Sequence, residues 1–221
     1  MKILVGITGA SGSIYAQRLL NYLGRTEHSV DVVLSRYAPV VIREELSEGL
    51  QLPEGFRKFG ATSMHVPFAS GSSVPDVMIV VPCSMGAMGR IAHGYSDDAL
   101  SRAADVVLKE RKKLILVPRE TPINLIHIRN FELIHLAGGQ LIPANPSFYS
   151  GPESIEQLVD TVVSRILDNA GVHLDIMPRW QADPDDDPDF QDKFNIQIET
   201  RTEGVDELKT GQAPDPAGAH E

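Results

Sequence analysis

Short apolar runs and helical patterns alternate along the first 170 residues of the chain. Mostly apolar runs that end abruptly in small or turn-forming residues are typical of buried parallel strands, and they occur at residues 2–7, 29–34, 77–81, 114–117 and 141–142. Apolar positions at helical spacing predict helices at residues 14–23, 38–46, 97–109, 122–137 and 153–167. This alternation predicts an α/β fold with a doubly wound parallel sheet and right-handed crossovers.

Two stretches depart from the alternation. Residues 47–75 are interrupted by Gly and Pro and have no strong periodicity, so we predict an irregular functional flap with a flexible link at residues 70–73. After Trp180 the chain becomes acidic and proline-rich, which is typical of a segment that does not pack by itself. We therefore predict one domain over residues 1–180 and a tail over residues 181–221, which either packs on a neighbouring subunit or stays free.

The net charge and the cysteine content limit the classes of binding partner and the cellular compartment that we expect for this protein. The formal net charge is −10, but residues 181–221 hold twelve acidic and three basic residues, so the body carries only one net negative charge. A near-neutral body without a basic face argues against nucleic acid. No apolar run reaches the roughly 18 residues of a membrane span, and the first residues lack the pattern of a secretory signal. The single cysteine, Cys83, fits a reducing compartment, so we expect a cytoplasmic protein.

The turn after the first predicted strand is rich in small residues. It contains Gly9, Gly12 and three hydroxyl-bearing residues and leads directly into the first predicted helix. Free backbone amides and the helix dipole favour a phosphate at such a position, and the hydroxyls can cap the helix or add donors. The glycine spacing differs from the dinucleotide fingerprint. The turn alone indicates either a phosphate or nucleotide at the head of a Rossmann-like sheet, or a plain tight turn.

The carboxyl ends of the predicted strands share an unusual composition. Open parallel sheets bind ligands at these ends, where the strand order reverses. Here the ends carry small, hydroxylated or charged residues: Gly9, Ala10, Ser11, Ser35, Cys83, Ser84, Met85, Gly86, Arg119 and Glu120. Ser35 alone would be interpreted as a helix cap, but beside the other strand ends a ligand contact is favoured.

Several cations lie on predicted helices. Arg102 and Lys109 are seven residues apart and share one helix face, and Arg165 lies at the edge of an apolar stripe. A single exposed cation usually forms a surface ion pair. Several that converged would form a second anion site, because the arginine fork suits phosphate.

Six motifs together resemble one protein family. They are Gly-Ile-Thr-Gly-Ala-Ser-Gly at residues 6–12, Pro-Cys-Ser-Met-Gly at 82–86, Arg-Ala-Ala-Asp-Val-Val-Leu-Lys-Glu-Arg at 102–111, Val-Pro-Arg-Glu-Thr-Pro at 117–122, Pro-x-Phe-Tyr at 146–149 and Pro-Arg-Trp at 178–180. Their order and spacing over residues 1–180 are similar to the UbiX family of flavin prenyltransferases, whose members often carry the older name aromatic acid decarboxylase subunit.

The resemblance implies a flavodoxin-like three-layer fold and a specific transfer reaction. A dimethylallyl group would move from dimethylallyl phosphate to N5 and then C6 of reduced FMN, giving prenylated FMN for a UbiD-like decarboxylase. The implied FMN contacts are Gly9, Ala10, Ser11, Ser35, Ser84, Met85, Gly86, Ala87 and Arg119. The implied contacts to the prenyl phosphate are Arg102, Lys109, Glu120, Tyr149 and Arg165, and Trp180 would close over the site. The resemblance also implies a homo-oligomer, usually a dodecamer, with active sites at subunit interfaces.

These roles agree with the chemistry of allyl transfer. Arg102, Lys109 and Arg165 would stabilise the leaving phosphate without magnesium, and Glu120 could move a proton. An aromatic face, either the flavin or Trp180, would favour the allyl cation. The histidines His65, His127 and His135 do not have metal-ligand spacing, so we expect no metal.

Three positions need separate interpretation. Gly86 stands where many members of the family have Lys, and His93, which we interpret as a loop residue, stands where Asn is frequent. Cys83 has no basic neighbour in sequence, so we interpret it as a buried wall residue rather than a nucleophile.

Two other functions stay open at this point. A flavin-dependent cysteine decarboxylase of the same superfamily would carry a Pro-Ala-Ser-Ala-Asn-Thr-like segment where this chain has Pro-Cys-Ser-Met-Gly-Ala at residues 82–87. A non-catalytic FMN-binding subunit of an aromatic acid decarboxylase would have no need of a second phosphate site. The sequence does not distinguish a monophosphate from a diphosphate donor.

Overall fold

The computed structural model of the chain describes residues 1–63 and 65–177. Within them, six strands form one sheet: β1 (Lys2–Ile7), β2 (Ser29–Leu34), β3 (Arg57–Gly60), β4 (Val77–Cys83), β5 (Lys113–Pro118) and β6 (Gln140–Leu141). Their order is β3-β2-β1-β4-β5-β6, and neighbouring strands are parallel. The predicted α/β fold with a doubly wound parallel sheet is therefore confirmed. The strand order reverses between β1 and β4, which is where such sheets bind ligands.

Helices connect the strands on both faces of the sheet. They are α1 (Ser13–Leu23), α2 (Ala38–Glu45), α3 (Met85–Ala92), α4 (Ala99–Lys109), α5 (Leu125–Leu136) and α6 (Ile155–Ala170). The predicted start of α5 at Pro122 is wrong, because the Asn124 side chain caps the helix by accepting a hydrogen bond from the His127 amide at 3.0 Å. Strand β4 continues to Cys83, beyond the predicted end of this strand at residue 81, and α3 begins at Met85.

The stretch over residues 47–75 is more ordered than its sequence indicates. β3 pairs with β2 in parallel at the edge of the sheet, and Arg57 forms an ion pair with Asp31 on that neighbour at 2.8 Å. Phe68 is 2% exposed and packs edge-on against Phe59 with ring centroids 5.3 Å apart. Residues Gly71–Ser73 form a short 3-10 turn. The expectation of irregular structure is therefore wrong for these described segments, while the functional flap and the flexible link stay predictions.

Alternate side chains of the central strands belong to two hydrophobic cores, one on each face of the sheet. On β1, Ile3, Val5 and Ile7 pack with α1 and α6, whereas Leu4 packs in a second cluster with α3, α4 and α5. Successive side chains of a strand point to opposite faces of its sheet. Helices α4 and α6 therefore lie on opposite faces of the sheet.

A buried ionic cluster ties α6 to α1. The Arg18 guanidinium donates to both Asp160 oxygens, with Nε 2.8 Å from Oδ1, and the Tyr22 hydroxyl donates to Asp160 Oδ2 at 2.7 Å. The Asp160 side chain is only 6% exposed. Its hydrogen bond to Arg18 raises the pKa of the guanidinium above its usual value. Because a buried carboxylate is costly without such partners, this cluster fixes α6 on the α1 face.

Candidate functional site

The turn after β1 has the backbone geometry that its glycines predict. A Cβ at Gly9 would come within 2.6 Å of the Tyr37 Cβ, and Gly12 has φ = 112° at the N-cap of α1. Both positions therefore require glycine. The Thr8 hydroxyl does not cap α1; it donates to the Pro82 carbonyl at 2.7 Å and accepts from the Ser84 amide at 2.8 Å. It joins the first strand end to the β4–α3 turn.

The start of α1 is occupied by a side chain that our sequence analysis missed. The Glu45 carboxylate, at the end of α2, accepts hydrogen bonds from the amides of Gly12 at 2.9 Å and Ser13 at 2.7 Å. The prediction that these amides are free for a phosphate is therefore wrong in this structure. Burial raises the pKa of Glu45, but hydrogen bonds from Ser11, Ser13 and the two amides outweigh it and hold the pKa below its usual value. Glu44 and Glu45 look alike in sequence, so no pattern singled out Glu45.

A first cavity of about 500 Å³ opens at the carboxyl ends of β1, β2 and β4. We call it the Ser84 cavity; it is lined by Gly9, Ser35, Arg36, Tyr37, Ala61, Thr62, Ser84, Gly86, Ala87, Arg90, Asp97 and Asp98. Five of the predicted FMN contacts thus meet in one place. The Ser84 side chain caps α3 by accepting a hydrogen bond from the Ala87 amide at 3.3 Å, and the Ser35 amide donates a hydrogen bond to the Ile7 carbonyl at 2.9 Å. The lining offers hydroxyls, backbone groups, two guanidinium groups and two carboxylates, and its hydroxyl and guanidinium donors suit the oxygens of a phosphate.

A second cavity of about 390 Å³ opens at the ends of β4, β5 and β6. This Glu120 cavity is lined by Met85, Pro118, Arg119, Glu120, Thr121, Ile123, Phe131, Pro143, Ala144 and Asn145. Residues 84–87 therefore face both cavities, with Met85 on the Glu120 side. Glu120 accepts from the Thr121 amide at 3.0 Å. Burial raises the pKa of Tyr15, and the positive charge of Arg119 opposes that rise, so Tyr15 of α1 lies within electrostatic reach of this cavity.

The other predicted phosphate contacts do not meet within one chain. Arg102 donates to the Ala69 carbonyl at 3.3 Å and pairs with Asp105 at 2.9 Å. Lys109 is the last residue of α4 and forms an ion pair with Glu110. It lies just before β5, near the amino end of that strand. Arg165 lies on α6, on the opposite face of the sheet, with its side chain 68% exposed. Glu120 lines the second cavity, and Lys109 and Arg165 lie on opposite faces of the sheet, so these two residues do not converge within a single chain.

The other predicted residues lie in the first turn, after β6, at the end of α3 or outside the described residues. Tyr149 is 72% exposed after β6, while Ala10 is buried and Ser11 exposed in the first turn. Trp180 and the tail over residues 181–221 lie outside the described residues, so their predicted roles stay predictions. His93 is the C-cap of α3, with its Nδ1 2.9 Å from the Gly89 carbonyl.

Cys83 is a wall residue beneath the site. It is fully buried, and burial raises the pKa of its thiol to about 12 even though the charge of Arg90 opposes the rise. The thiol is therefore protonated at neutral pH and is a poor nucleophile. Among the described residues, no group of three or more His, Cys, Asp or Glu side chains is placed to hold a metal ion. No described helix combines the length and apolarity needed to cross a membrane.

These features define a class of protein. A parallel α/β sheet whose switch point carries glycines, serines and arginines is typical of proteins that bind a phosphate-bearing nucleotide. Residues 1–167 match the profile of the protein family described as Flavoprotein.

Individual relatives narrow the class. The flavin prenyltransferase UbiX of Pseudomonas aeruginosa is 40% identical over 195 residues, covering 81% of this chain and 93% of that protein. The crystal structure of a dodecameric FMN-dependent UbiX-like decarboxylase from Escherichia coli is 37% identical with a TM-score of 0.77, covering 82% of this chain and 100% of that one. A structure of AnUbiX in complex with FMN and dimethylallyl pyrophosphate is 38% identical with a TM-score of 0.76, covering 81% and 97%. The chain therefore belongs to the Flavoprotein family and, within it, to the flavin prenyltransferases of the UbiX type.

Proposed function

We propose that the chain transfers a dimethylallyl group from dimethylallyl phosphate to N5 and C6 of reduced FMN, producing prenylated FMN. One observation carries this proposal: a single turn, residues 84–87, faces two cavities of different chemistry. The Ser84 cavity is lined by hydroxyls, two guanidinium groups and two carboxylates, whereas the Glu120 cavity places Arg119 and Glu120 among mostly apolar residues. Two adjoining cavities suit two reactants that must meet. The solved relative with both FMN and dimethylallyl pyrophosphate bound supports the pairing.

The residues that would hold FMN are those at the switch point. We assign this role to Gly9, Ala10, Ser11, Ser35, Ser84, Met85, Gly86, Ala87 and Arg119. The fit rests on close approach: Gly9 lies against Tyr37 with no room for a side chain, and no atom lies within 4 Å of a Cβ built on Gly86. A ligand can therefore come close to the backbone at Gly86. When bound and reduced, FMN supplies the electron-rich ring that accepts the prenyl group.

The protein's own groups act on the donor. Loss of the allylic phosphate leaves negative charge on that phosphate, and we assign its stabilisation to Arg102, Lys109 and Arg165. Glu120 is the group we assign to proton movement at the phosphate oxygen or the ring position. Within the described residues, its carboxylate accepts a hydrogen bond from the neighbouring Thr121 amide. A carboxylate has more acceptor sites than this one bond uses, so it retains capacity for a ligand.

The phosphate contacts at Arg102, Lys109, Tyr149 and Arg165 require more than one copy of the chain. Because α4 and α6 lie on opposite faces of the sheet, Lys109 and Arg165 can serve one site only if they come from different copies. Exposed apolar side chains support assembly: Leu125 is 60%, Ile126 67% and Leu136 76% exposed on α5. We therefore propose a homo-oligomer with shared active sites, and a dodecamer by analogy with the Escherichia coli relative.

The test is anaerobic incubation with reduced FMN and either dimethylallyl monophosphate or diphosphate. We expect a flavin product with the added mass of one dimethylallyl group from at least one donor, with an equal yield in a metal chelator. The Lys109→Ala variant serves as a donor-site control that keeps FMN. Unaltered flavin with both donors would contradict the assignment.

Two further proposals follow from this function. The product would be consumed by a UbiD-like decarboxylase, and both would work in the cytoplasm. The alternatives of a cysteine decarboxylase and a non-catalytic flavin carrier are not favoured, because the chain belongs with the prenyltransferases. Release of a decarboxylated peptide or cysteine derivative by the purified protein would favour the first alternative.

A further inference from the structure

Arg90 is a cation of the Ser84 cavity that the proposed function leaves without a role. It lies in the last turn of α3, four residues after Gly86, and both residues line this cavity. Residues four apart share one face of a helix. Arg90 therefore stands one helical turn from the glycine at which a ligand can approach the backbone.

The surface between Arg90 and the start of α3 is bare. Gly86 is exposed, and no atom lies within 4 Å of a Cβ built on it. Long side chains on helices lean toward the helix N-terminus, so a guanidinium from position 90 can reach the space above position 86. At the N-terminus the Ala87 amide already donates to the Ser84 hydroxyl. A charged side chain at this place would add to the backbone donors at the start of α3.

The Arg90 guanidinium has unused hydrogen-bonding capacity. Its Nε is buried and makes no hydrogen bond with any described residue, although the Asp97 carboxylate is 3.3 Å away. About a third of the side chain, 35%, is exposed. A buried guanidinium nitrogen without an acceptor is costly, and an incoming oxyanion would provide one.

The other charges at the cavity are already engaged in different ways. Asp98 caps α4, accepting from the Ser101 amide at 2.7 Å, and Arg36 stacks over Tyr37 at 5.7 Å. Asp97 is 49% exposed and is the carboxylate paired with Arg90. An anion that binds at Arg90 must therefore compete with Asp97 for the guanidinium.

We propose that Arg90 binds the phosphate of FMN in the Ser84 cavity and that Asp97 holds the guanidinium in place until FMN binds. The inference rests on the proposed binding of FMN and deepens it by naming the charge partner. The proposal predicts opposite effects of the two residues on FMN affinity. Arg90 strengthens FMN binding, while Asp97 weakens it by competing for the guanidinium.

The experiment measures affinity for oxidised FMN and for riboflavin, which lacks the phosphate, by quenching of flavin fluorescence on the full chain. We expect Arg90→Gln to weaken FMN binding by about tenfold to a hundredfold, the usual value of a charged hydrogen bond, and to leave riboflavin binding unchanged. Arg90→Lys should recover part of the loss.

Asp97→Asn should tighten FMN binding by a few-fold and leave riboflavin binding unchanged. Arg25→Gln, an exposed arginine stacked on Tyr22 at the end of α1, is the matched control and should change neither affinity.

Two results would overturn the inference. Equal weakening of FMN and riboflavin by Arg90→Gln would mean that the residue shapes the cavity and does not bind the phosphate. Equal weakening of FMN binding by Arg90→Gln and Asp97→Asn would mean that the cavity depends on their ion pair and that Arg90 does not bind the phosphate. Because no prenyl donor is present, these outcomes are separate from failure of the proposed function, which would appear as a wild-type chain that binds no flavin or transfers no prenyl group.

Discussion

Ser35, Ser84 and Arg90 meet in one cavity of a single chain, whereas Lys109 and Arg165 lie on opposite faces of the same sheet. The first group sits at the ends of adjacent parallel strands and in the turns that follow, so the sheet itself brings it together. The second group sits on helices that pack on different faces of the sheet, and no folding of one chain can bring such faces together. On the proposed assignments, the flavin side of the site would be built by the fold of one chain, and the donor side by assembly.

This difference separates two kinds of sequence signal. Strand ends of a parallel sheet converge whatever the sequence between them, so their residues can be grouped from the amino-acid sequence alone. Helical spacing places residues on one face of one helix, as with Arg102 and Lys109, but does not say which copy of the chain that face meets. Binding of FMN should therefore be separable from prenyl transfer.

The largest expected effect comes from breaking the assembly. Leu136→Glu places a charge on the exposed apolar surface of α5, where Leu136 is 76% exposed. A buried charge at an interface is strongly unfavourable, so we expect smaller particles in light scattering and no detectable prenyl transfer. FMN binding should persist, because its cavity lies within one chain. Leu136→Met is the matched control and should keep the native particle size. Loss of FMN binding by a folded Leu136→Glu chain would show that the flavin side also needs a neighbour.

A smaller but still large effect is expected at Glu120. Glu120→Gln keeps the shape of the side chain and removes its ability to take up a proton, so the rate of prenyl transfer should fall about a hundredfold to ten-thousandfold. The affinity for FMN, measured by fluorescence quenching, should stay within a factor of two or so of wild type. Glu27→Gln, an exposed acid on the turn after α1, is the control. A variant that retains full transfer would remove Glu120 from the mechanism.

A mixing experiment tests whether Lys109 and Arg165 come from different copies. Each of Lys109→Ala and Arg165→Ala should lower the rate of transfer by about a hundredfold, the usual cost of one contact to developing charge. When the two variants are dissociated and reassembled together, some sites regain both cations and part of the activity returns. Mixtures of Lys109→Ala with itself provide the baseline. Equal activity of the mixture and the separate variants would place both residues on one copy.

The fold was more predictable than the site for a physical reason. Buried parallel strands such as β1 and β2 must be apolar on both faces, so their bounds follow from hydrophobicity. The edge strand β3 was missed because it is four residues long, largely exposed and begins with Arg57 and Lys58. Its pairing with β2 is a long-range backbone interaction that leaves no local pattern.

The position of Glu45 illustrates what sequence reasoning could not reach. It caps α1 from the end of a different helix, and nothing distinguishes it from Glu44 along the chain. Only the packing of α2 beside the first turn reveals that its carboxylate occupies the amides of Gly12 and Ser13.

The smallest predicted effect concerns this cap. Because the folded-state pKa of Glu45 lies below its ordinary value of 4.5, its contribution to stability is complete above that value and is lost as the pH falls through the folded pKa. Glu45→Gln should therefore lower the free energy of unfolding at pH 7 by about 1 kcal/mol, as for loss of a helix cap, and the difference from wild type should shrink below about pH 4. Glu44→Gln, the adjacent exposed acid, is the matched control and should show no such difference. Urea unfolding of each chain at pH 7, 5 and 3.5 would measure the effect. An undiminished difference at the lowest pH would mean that Glu45 acts through packing, and that the charge on its carboxylate is not what stabilises the turn.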